Sequence, residues 1–260
     1  MISTRHMFVT LDRTALLPYL TAGLPTPGDS ADLFRAMSEA GADGFEVGIP
    51  YSDPLMDGPV IMRASEVALA AGTNVVQALA VLEKVAGLGK PTLAMTYANP
   101  VMQAGWDVYC GRLADAGAAG IIVPDLPLEE AGPLLVAAAA KNVGVVLFVS
   151  PTTGADRIRR VARAKPEFIY GVSDLGVTGE RHEVSGHVAG LSARVRAITE
   201  VPLVLGVGIS TPEQVKAVRH LADGVIVGTA LVRRVLDATS VAEAARALFQ
   251  AVHDLRAALD

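Results

Sequence analysis

The chain has 260 residues, of which 51% are hydrophobic, 5% aromatic and 19% charged, and its formal net charge is −5. This mild negative charge excludes a general electrostatic attraction to nucleic acid or an anionic membrane, and the single cysteine, Cys110, excludes an intrachain disulfide framework and a cysteine-rich metal site. We expect a cytoplasmic protein, because no apolar run reaches the roughly 18 residues of a membrane span and the first residues lack a signal-peptide pattern.

Short apolar segments alternate with longer segments of helical periodicity along the chain. The predicted strands are residues 16–21, 45–47, 91–95, 119–123, 145–149, 168–172, 203–205 and 225–227. The predicted helices are residues 30–40, 62–71, 74–86, 106–116, 128–141, 155–164, 188–199 and 212–220, with a further helix at the end. Eight strand–helix units without a linker predict an α/β fold, a (β/α)₈ TIM barrel that forms a single domain over residues 1–260.

The most informative stretch is FEVGIPYSDPLMDGPVI, residues 45–61, which contains the second strand and its loop. Glu46 places a carboxylate inside a buried strand pattern, and Asp57 lies in the Pro- and Gly-rich loop that follows. Such different settings separate the pKa values of two carboxyl groups, so we interpret them as acid/base partners. Tyr170 in the sixth strand lies near the same rim of the barrel. Structural alternatives remain for all three: a paired buried acid, a turn residue and a core tyrosine.

Glycine-rich turns follow the seventh and eighth strands, at GVGIS (206–210) and at Gly228 and Thr229. In a barrel, backbone N–H groups and helix N-termini at these two positions bind phosphate without basic side chains. Gly208 allows close approach of the backbone, and Gly228 and Thr229 begin a short helix. The turns predict a phosphorylated small-molecule ligand. No spacing of His, Cys or carboxylates predicts a metal site, and no motif predicts a nucleotide.

These motifs, in this order, resemble those of the tryptophan synthase alpha chain family. The matching segments are PYLTAGLP (18–25), FEVGIPYSDPLMDGPVI (45–61), TYANPV (96–101), VPDLPLEE (123–130), GVTGER (176–181), GVGIS (206–210) and ADGVIVGTALV (222–232). The resemblance covers nearly the whole chain, and the glutamate followed by SDPxxDGP is its most specific part. It implies a lyase of tryptophan biosynthesis that cleaves indole-3-glycerol phosphate to indole and glyceraldehyde 3-phosphate, a retro-aldol reaction with no cofactor in this chain.

The resemblance also implies roles for individual residues. Glu46 resembles the general acid/base, Asp57 the carboxylate that faces the indole N–H, and Tyr170 the tyrosine beside the catalytic acid. The residues that would bind the substrate are Tyr19 at the indole, Thr178 in the loop that closes over it, and Gly179, Gly208, Gly228 and Thr229 at the phosphate.

A beta chain that carries pyridoxal phosphate is the partner that the resemblance implies, in an alpha2beta2 heterotetramer. The residues of this chain in the loops where the family meets that partner are Asp53, Pro54, Asn99 and Asp125. A stand-alone lyase that releases free indole would have the same catalytic residues, so it remains an alternative. A further alternative is a non-catalytic allosteric partner of a beta chain. The presence of both Glu46 and Asp57 argues against this alternative.

Two departures from the family pattern bear on these expectations. Only about fifteen residues precede the first strand, where the family often has a longer helix that covers the bottom of the barrel. Met62 stands where the family commonly has glutamine, and a thioether cannot replace the hydrogen bonds of an amide. The first departure concerns stability, and the second concerns how the loop after the second strand is held.

Overall fold

A computed structural model of the chain describes residues 3–172, 181–206 and 208–260. Its eight parallel strands pair in sequence order, and the first also pairs with the last, so that they close into a barrel. They are β1 (Ala15–Thr21), β2 (Phe45–Gly48), β3 (Thr92–Met95), β4 (Gly120–Ile122), β5 (Gly144–Val149), β6 (Ile169–Val172), β7 (Leu203–Gly206) and β8 (Gly224–Val227). The predicted (β/α)₈ barrel is confirmed, with each strand within a few residues of its predicted position.

Helices surround the barrel on the outside. Within the described residues they are α1 (Thr4–Thr10), α2 (Ser30–Glu39), α3 (Pro59–Ala70), α4 (Val75–Ala86), α5 (Ala98–Ala104), α6 (Trp106–Asp115), α7 (Gly132–Ala140), α8 (Ala155–Arg163), α9 (Arg181–Arg196), α10 (Pro212–Val218), α11 (Thr229–Asp237) and α12 (Val241–Leu259). None of them is by itself long and apolar enough to cross a membrane; α3 and α4 meet those criteria only as a pair, across a bend of 108°.

Some helix boundaries differ from the sequence prediction, and prolines explain two of them. α3 begins at Pro59 instead of residue 62, and α7 begins at Gly132 instead of residue 128, with Pro133 in its first turn. Proline fits the first turn of a helix because its missing N–H has no intrahelical partner there. α5 was not predicted as a helix. Its first N–H, that of Ala98, is bound by the Asp125 carboxylate at 2.9 Å, a contact between distant residues that no local pattern reveals.

The N-terminal segment forms a short helix against the bottom of the barrel. In α1, Met7 is buried, and the ring of Phe8 packs edge-on against Phe168 with their centroids 6.0 Å apart. The Arg5 guanidinium donates to the carbonyl of Pro166 at 3.3 Å. The few residues before β1 therefore still cover part of the bottom, although α1 has only seven residues.

A buried ion-pair network joins the last helix to the first two strands. The Asp43 carboxylate accepts hydrogen bonds from Arg256 at 3.0 Å, from Arg13 at 2.7 Å and from the backbone N–H of Leu16 at 2.9 Å. Arg256 also donates to the carbonyl of Thr14 at 3.1 Å. This network lies before β1 and β2, at the end of the barrel opposite the C-terminal ends of the strands, where residues serve stability.

Candidate active site

A cavity of about 370 Å³ opens at the C-terminal ends of the strands. Its volume lies in the range typical of small-molecule sites. It is lined by most of the residues that were predicted from the sequence: Tyr19, Glu46, Asp57, Tyr170, Gly208, Gly228 and Thr229. Thr178 and Gly179 lie outside the described residues. The barrel thus brings together residues of three strands, β1, β2 and β6, with residues that follow β2, β7 and β8, although these are distant along the chain.

Glu46 presents a buried carboxyl group to this cavity. It lies in β2, in register with Tyr19 on β1 and Leu93 on β3, and only 3% of it is exposed. Its Oε2 atom has no hydrogen-bond partner among the described residues. Burial, reinforced by the nearby charge of Asp57, raises the pKa of Glu46 to about 8. The group therefore holds a proton at neutral pH, and the described residues offer no hydrogen-bond partner to its Oε2 atom.

Asp57 approaches the same cavity from the loop after β2 and is half-buried. Its own N–H donates to the carbonyl of Pro54 at 3.0 Å, which folds the loop over the end of the strand. Burial raises the pKa of Asp57 to about 6, while a hydrogen bond from Tyr97 acts in the opposite direction. Asp57 is therefore mostly ionised at pH 7. The two carboxyl groups differ in protonation state, as their sequence settings predicted.

Tyr97 was not among the predicted site residues. It lies directly after β3, is 3% exposed, and its hydroxyl contacts both the Asp57 carboxylate and the N–H of Met56, the latter at 3.1 Å. The signal in the sequence was its position: Tyr97 follows a predicted strand at the catalytic rim. Nothing in the local pattern pairs it with a loop some forty residues earlier.

Two tyrosines of the cavity are seated against glycines of neighbouring strands. The Tyr19 hydroxyl lies 3.2 Å from Oγ1 of Thr21 and occupies the space that a Cβ atom at Gly48 would fill. The Tyr170 hydroxyl lies in the same way against Gly206. Both tyrosines are buried, and burial raises the pKa of each phenol further above its ordinary value. They remain neutral hydroxyl groups in the cavity at any working pH.

The rest of the cavity wall is mainly apolar. The ring of Phe148 lies against Tyr170 with their centroids 5.1 Å apart. The other apolar residues of the wall are Met56, Ile61, Met95, Ile122, Pro124, Val172, Ile209 and Ile226. Their role in a cavity wall could not be predicted from the sequence, because the apolar ends of buried strands have the same pattern as the strand interiors. A flat apolar ring system would be well accommodated here, since apolar walls with few polar groups are typical of ligand sites.

Gly208, Gly228 and Thr229 lie in the wall of the cavity that β7 and β8 lead into. Gly228 is the N-cap of α11, and its carbonyl accepts the N–H groups of Leu231 and Val232. The first N–H groups of a helix have no intrahelical partner and attract anions. The cavity is thus suited to a phosphate where β7 and β8 end, and it also presents the carboxyl groups of Glu46 and Asp57.

The predicted partner-contact residues lie outside the cavity. Asp53, Asn99 and Asp125 are exposed, whereas Pro54 is buried within the chain, so its side chain is not offered to a partner. Large apolar side chains nearby are exposed instead: Leu55 at 91%, Met56 at 61% and Met102 at 60%. No sequence pattern predicted the exposure of these residues.

Two larger cavities, of about 500 and 450 Å³, lie at the opposite end of the barrel. Arg13 and Asp260 in the first are paired with each other at 3.6 Å, and Arg13 is also paired with Asp43. The cavity at the C-terminal ends of the strands is smaller, but among the described residues it is the one of these three that is lined by a buried carboxyl oxygen without a hydrogen-bond partner.

The comparisons with known proteins agree on one family. A family model described as tryptophan synthase alpha chain matches residues 8–259. The chain is 45% identical to the tryptophan synthase alpha chain of Prochlorococcus marinus over 236 residues, 90% of this chain and 86% of that protein, and 43% identical to that of Microcystis aeruginosa over 92% and 93%. Among solved structures, it is similar to Mycobacterium tuberculosis tryptophan synthase (TM-score 0.88, 35% identity, 100% and 99% of the two chains) and to Legionella pneumophila tryptophan synthase subunit alpha (TM-score 0.88, 31% identity, 100% and 99%).

Proposed function

The chain belongs to the tryptophan synthase alpha chain family, and from this premise we propose how its residues carry out the family's reaction. That reaction is the cleavage of indole-3-glycerol phosphate to indole and glyceraldehyde 3-phosphate, the lyase half-reaction of L-tryptophan biosynthesis. Alpha chains bind no cofactor for it; pyridoxal phosphate belongs to the beta chain with which the family pairs.

In the proposed mechanism Glu46 handles both protons. Its carboxyl group protonates the indole ring at C3 and then, as a carboxylate, accepts the proton of the hydroxyl on the adjacent side-chain carbon. The bond between that carbon and C3 breaks, its electron pair returns to the indole ring, and the hydroxyl carbon becomes the aldehyde. The observation that carries this role is the buried Glu46 carboxyl, which has a pKa raised to about 8 and an oxygen with no hydrogen-bond partner in the part of the chain that the structure describes.

Asp57 is the electrostatic partner in this mechanism. Protonation at C3 places positive charge on the ring nitrogen, and an ionised carboxylate facing the ring N–H stabilises that charge as it develops. Tyr19 and Tyr170 hold the ring between their faces and the apolar wall, and Gly208, Gly228 and Thr229 bind the phosphate through backbone and hydroxyl donors. Thr178 and Gly179, by the family pattern, complete the enclosure from the sixth loop.

Indole release from indole-3-glycerol phosphate by the purified chain tests these roles. Glu46→Gln keeps the size of the side chain but cannot donate a proton, so we expect a loss of at least about 100-fold in kcat with an unchanged circular dichroism spectrum. A Glu46→Gln chain that retains a tenth or more of the activity would overturn the assigned role. Glu39→Gln, at an exposed position of α2, is the matched control.

We also propose that the beta chain docks on the rim formed by the loop after β2 and by α5, in an alpha2beta2 assembly. The support is the exposure of Leu55, Met56 and Met102 beside Asp53 and Asn99, since clustered exposed apolar side chains are typical of interaction surfaces. Indole release should be weak for the chain alone and rise strongly with a beta chain, because docking orders loops at the site. High activity that a beta chain leaves unchanged would favour a stand-alone lyase instead, and a chain that stimulates a beta chain but releases no indole would favour a non-catalytic partner.

A further inference from the structure

We propose that Tyr97 is a positioning residue for Asp57, which it holds towards the cavity through a hydroxyl group shared with the loop backbone. The inference rests on the role proposed above for Asp57. Tyr97 itself is not part of the cavity wall in the described structure, so it acts through Asp57 and not on the substrate.

The geometry at the Tyr97 hydroxyl fixes two successive residues of one loop. The oxygen accepts the N–H of Met56 at 3.1 Å, and the hydroxyl donates to the carboxylate of the next residue, Asp57. One buried phenol thereby fixes both the backbone that leads into Asp57 and the carboxylate. Such an anchor matters because the two side chains immediately before Asp57, those of Leu55 and Met56, are largely exposed and contribute little packing.

Contacts of its ring and of the residues that follow it hold Tyr97 in place. Its ring stacks on that of Tyr51 with the centroids 5.2 Å apart and the planes at 26°. The Tyr51 hydroxyl accepts a hydrogen bond from the Asn99 amide at 2.9 Å, and the Asp125 carboxylate accepts the N–H of Ala98 at 2.9 Å. Ala98 and Asn99, which follow Tyr97 in the chain, are therefore fixed by contacts with other loops of the rim. These contacts hold the backbone that positions the Tyr97 hydroxyl.

The electrostatics give this contact a measurable signature. Asp57 faces Glu46 on β2, Tyr19 on β1 and Tyr97 at the start of α5, and Tyr97 in turn faces Asp125. Of these groups, Tyr97 is the one that donates a hydrogen bond to the ionised form of Asp57 and lowers its pKa. Removing the hydroxyl should therefore raise the pKa of Asp57 and shift the acidic limb of the pH profile to higher pH.

The experiment compares Tyr97→Phe, Asp57→Asn and wild type for indole release from indole-3-glycerol phosphate between pH 5.5 and 9. Phenylalanine keeps the ring that stacks on Tyr51. We expect kcat/KM of Tyr97→Phe to be about threefold lower at pH 6.5, with the acidic limb moved up by about one pH unit, so that the deficit shrinks towards pH 8. The substrate phosphate also titrates near pH 6, but it is the same for every variant and cannot cause a shift between them.

Tyr109→Phe is the matched control. It removes another buried phenol hydroxyl, which donates to Thr96 Oγ1 at 3.2 Å outside the site, and we expect it to keep the wild-type pH profile. A Tyr97→Phe profile that is unchanged, or lowered equally at every pH, would overturn the inference. If Asp57→Asn abolishes activity while Tyr97→Phe shows no shift, only the role of Tyr97 fails. If Asp57→Asn stays active, the proposed role of Asp57 fails, and this inference with it.

Discussion

Glu46 and Asp57 line one cavity from a strand and from the loop after it, and the charge of Asp57 helps to raise the pKa of Glu46 to about 8. The competent form in the proposed mechanism has Glu46 protonated and Asp57, with a pKa of about 6, ionised. We therefore predict a bell-shaped dependence of kcat/KM on pH with its maximum between about 6 and 8, measured by indole release. A rate that keeps rising above pH 9 would contradict the assignment of Glu46 as the acid.

The raised pKa of Glu46 also predicts how stability changes with pH. Because its pKa rises from 4.5 to about 8 on folding, the folded state holds the proton more tightly, and this stabilisation is full below pH 4.5 and lost as pH rises through 8. The difference corresponds to a contribution on the order of 5 kcal/mol. Wild type should therefore lose more stability than Glu46→Gln between pH 5 and pH 9, as measured by urea midpoints. Equal slopes for the two proteins would show that Glu46 is not buried in this way.

A third prediction concerns the packing of Tyr19 against Gly48. A methyl group at Gly48 would overlap the Tyr19 hydroxyl and the adjacent ring atoms, so Gly48→Ala should destabilise the protein by about 1–3 kcal/mol. Tyr19→Phe in the same chain should recover part of that loss, because the hydroxyl oxygen is the nearest atom. Gly132→Ala is the control, since a Cβ atom there meets nothing within 4 Å. Gly48→Ala as stable as this control in urea unfolding would refute the packing.

The ion-pair network at the bottom of the barrel gives a fourth prediction. The side chains of Arg256 and Asp43 are only 8% and 7% exposed, and removing one partner of a buried pair typically costs about 3–5 kcal/mol. Arg256→Met should lower the urea midpoint accordingly while leaving kcat at 25 °C near that of wild type. Arg63→Met, which breaks an ion pair with Glu66 that is 65% and 64% exposed, should cost less than about 1 kcal/mol. Similar losses in the two variants would argue against the network.

The architecture was predictable because its signal is periodic and repeated. Eight apolar strands separated by helices imply a closed barrel, and each strand end then locates its loop at one rim. Glu46, Asp57 and the turns at Gly208 and Gly228 could be placed for that reason. Tyr97 and the cap of α5 by Asp125 could not, because those contacts join separate loops whose distances only the folded barrel sets.

The burial of individual loop and cavity-wall residues could not be predicted for a different reason. Leu55 and Met56 follow proline in a loop, and hydrophobic residues in such a loop give no sign of whether they fold inward or face outward. The apolar cavity wall, including Phe148, reads like any strand interior. Pro54 was expected at a partner surface, but the turn between Pro54 and Asp57 places it inside. Burial at such positions depends on loop conformation, which sequence patterns do not specify.

The pairing of β1 with β8 has a consequence for folding during synthesis on the ribosome. The partner of Ala15 is Gly224, so the outer edge of the first strand stays without its neighbour until about 210 more residues have left the ribosome. At typical elongation rates of about 5–20 residues per second, this takes roughly 10–40 s. An unpaired strand edge attracts other strands, so the nascent chain passes through an aggregation-prone interval that ends only with its last quarter.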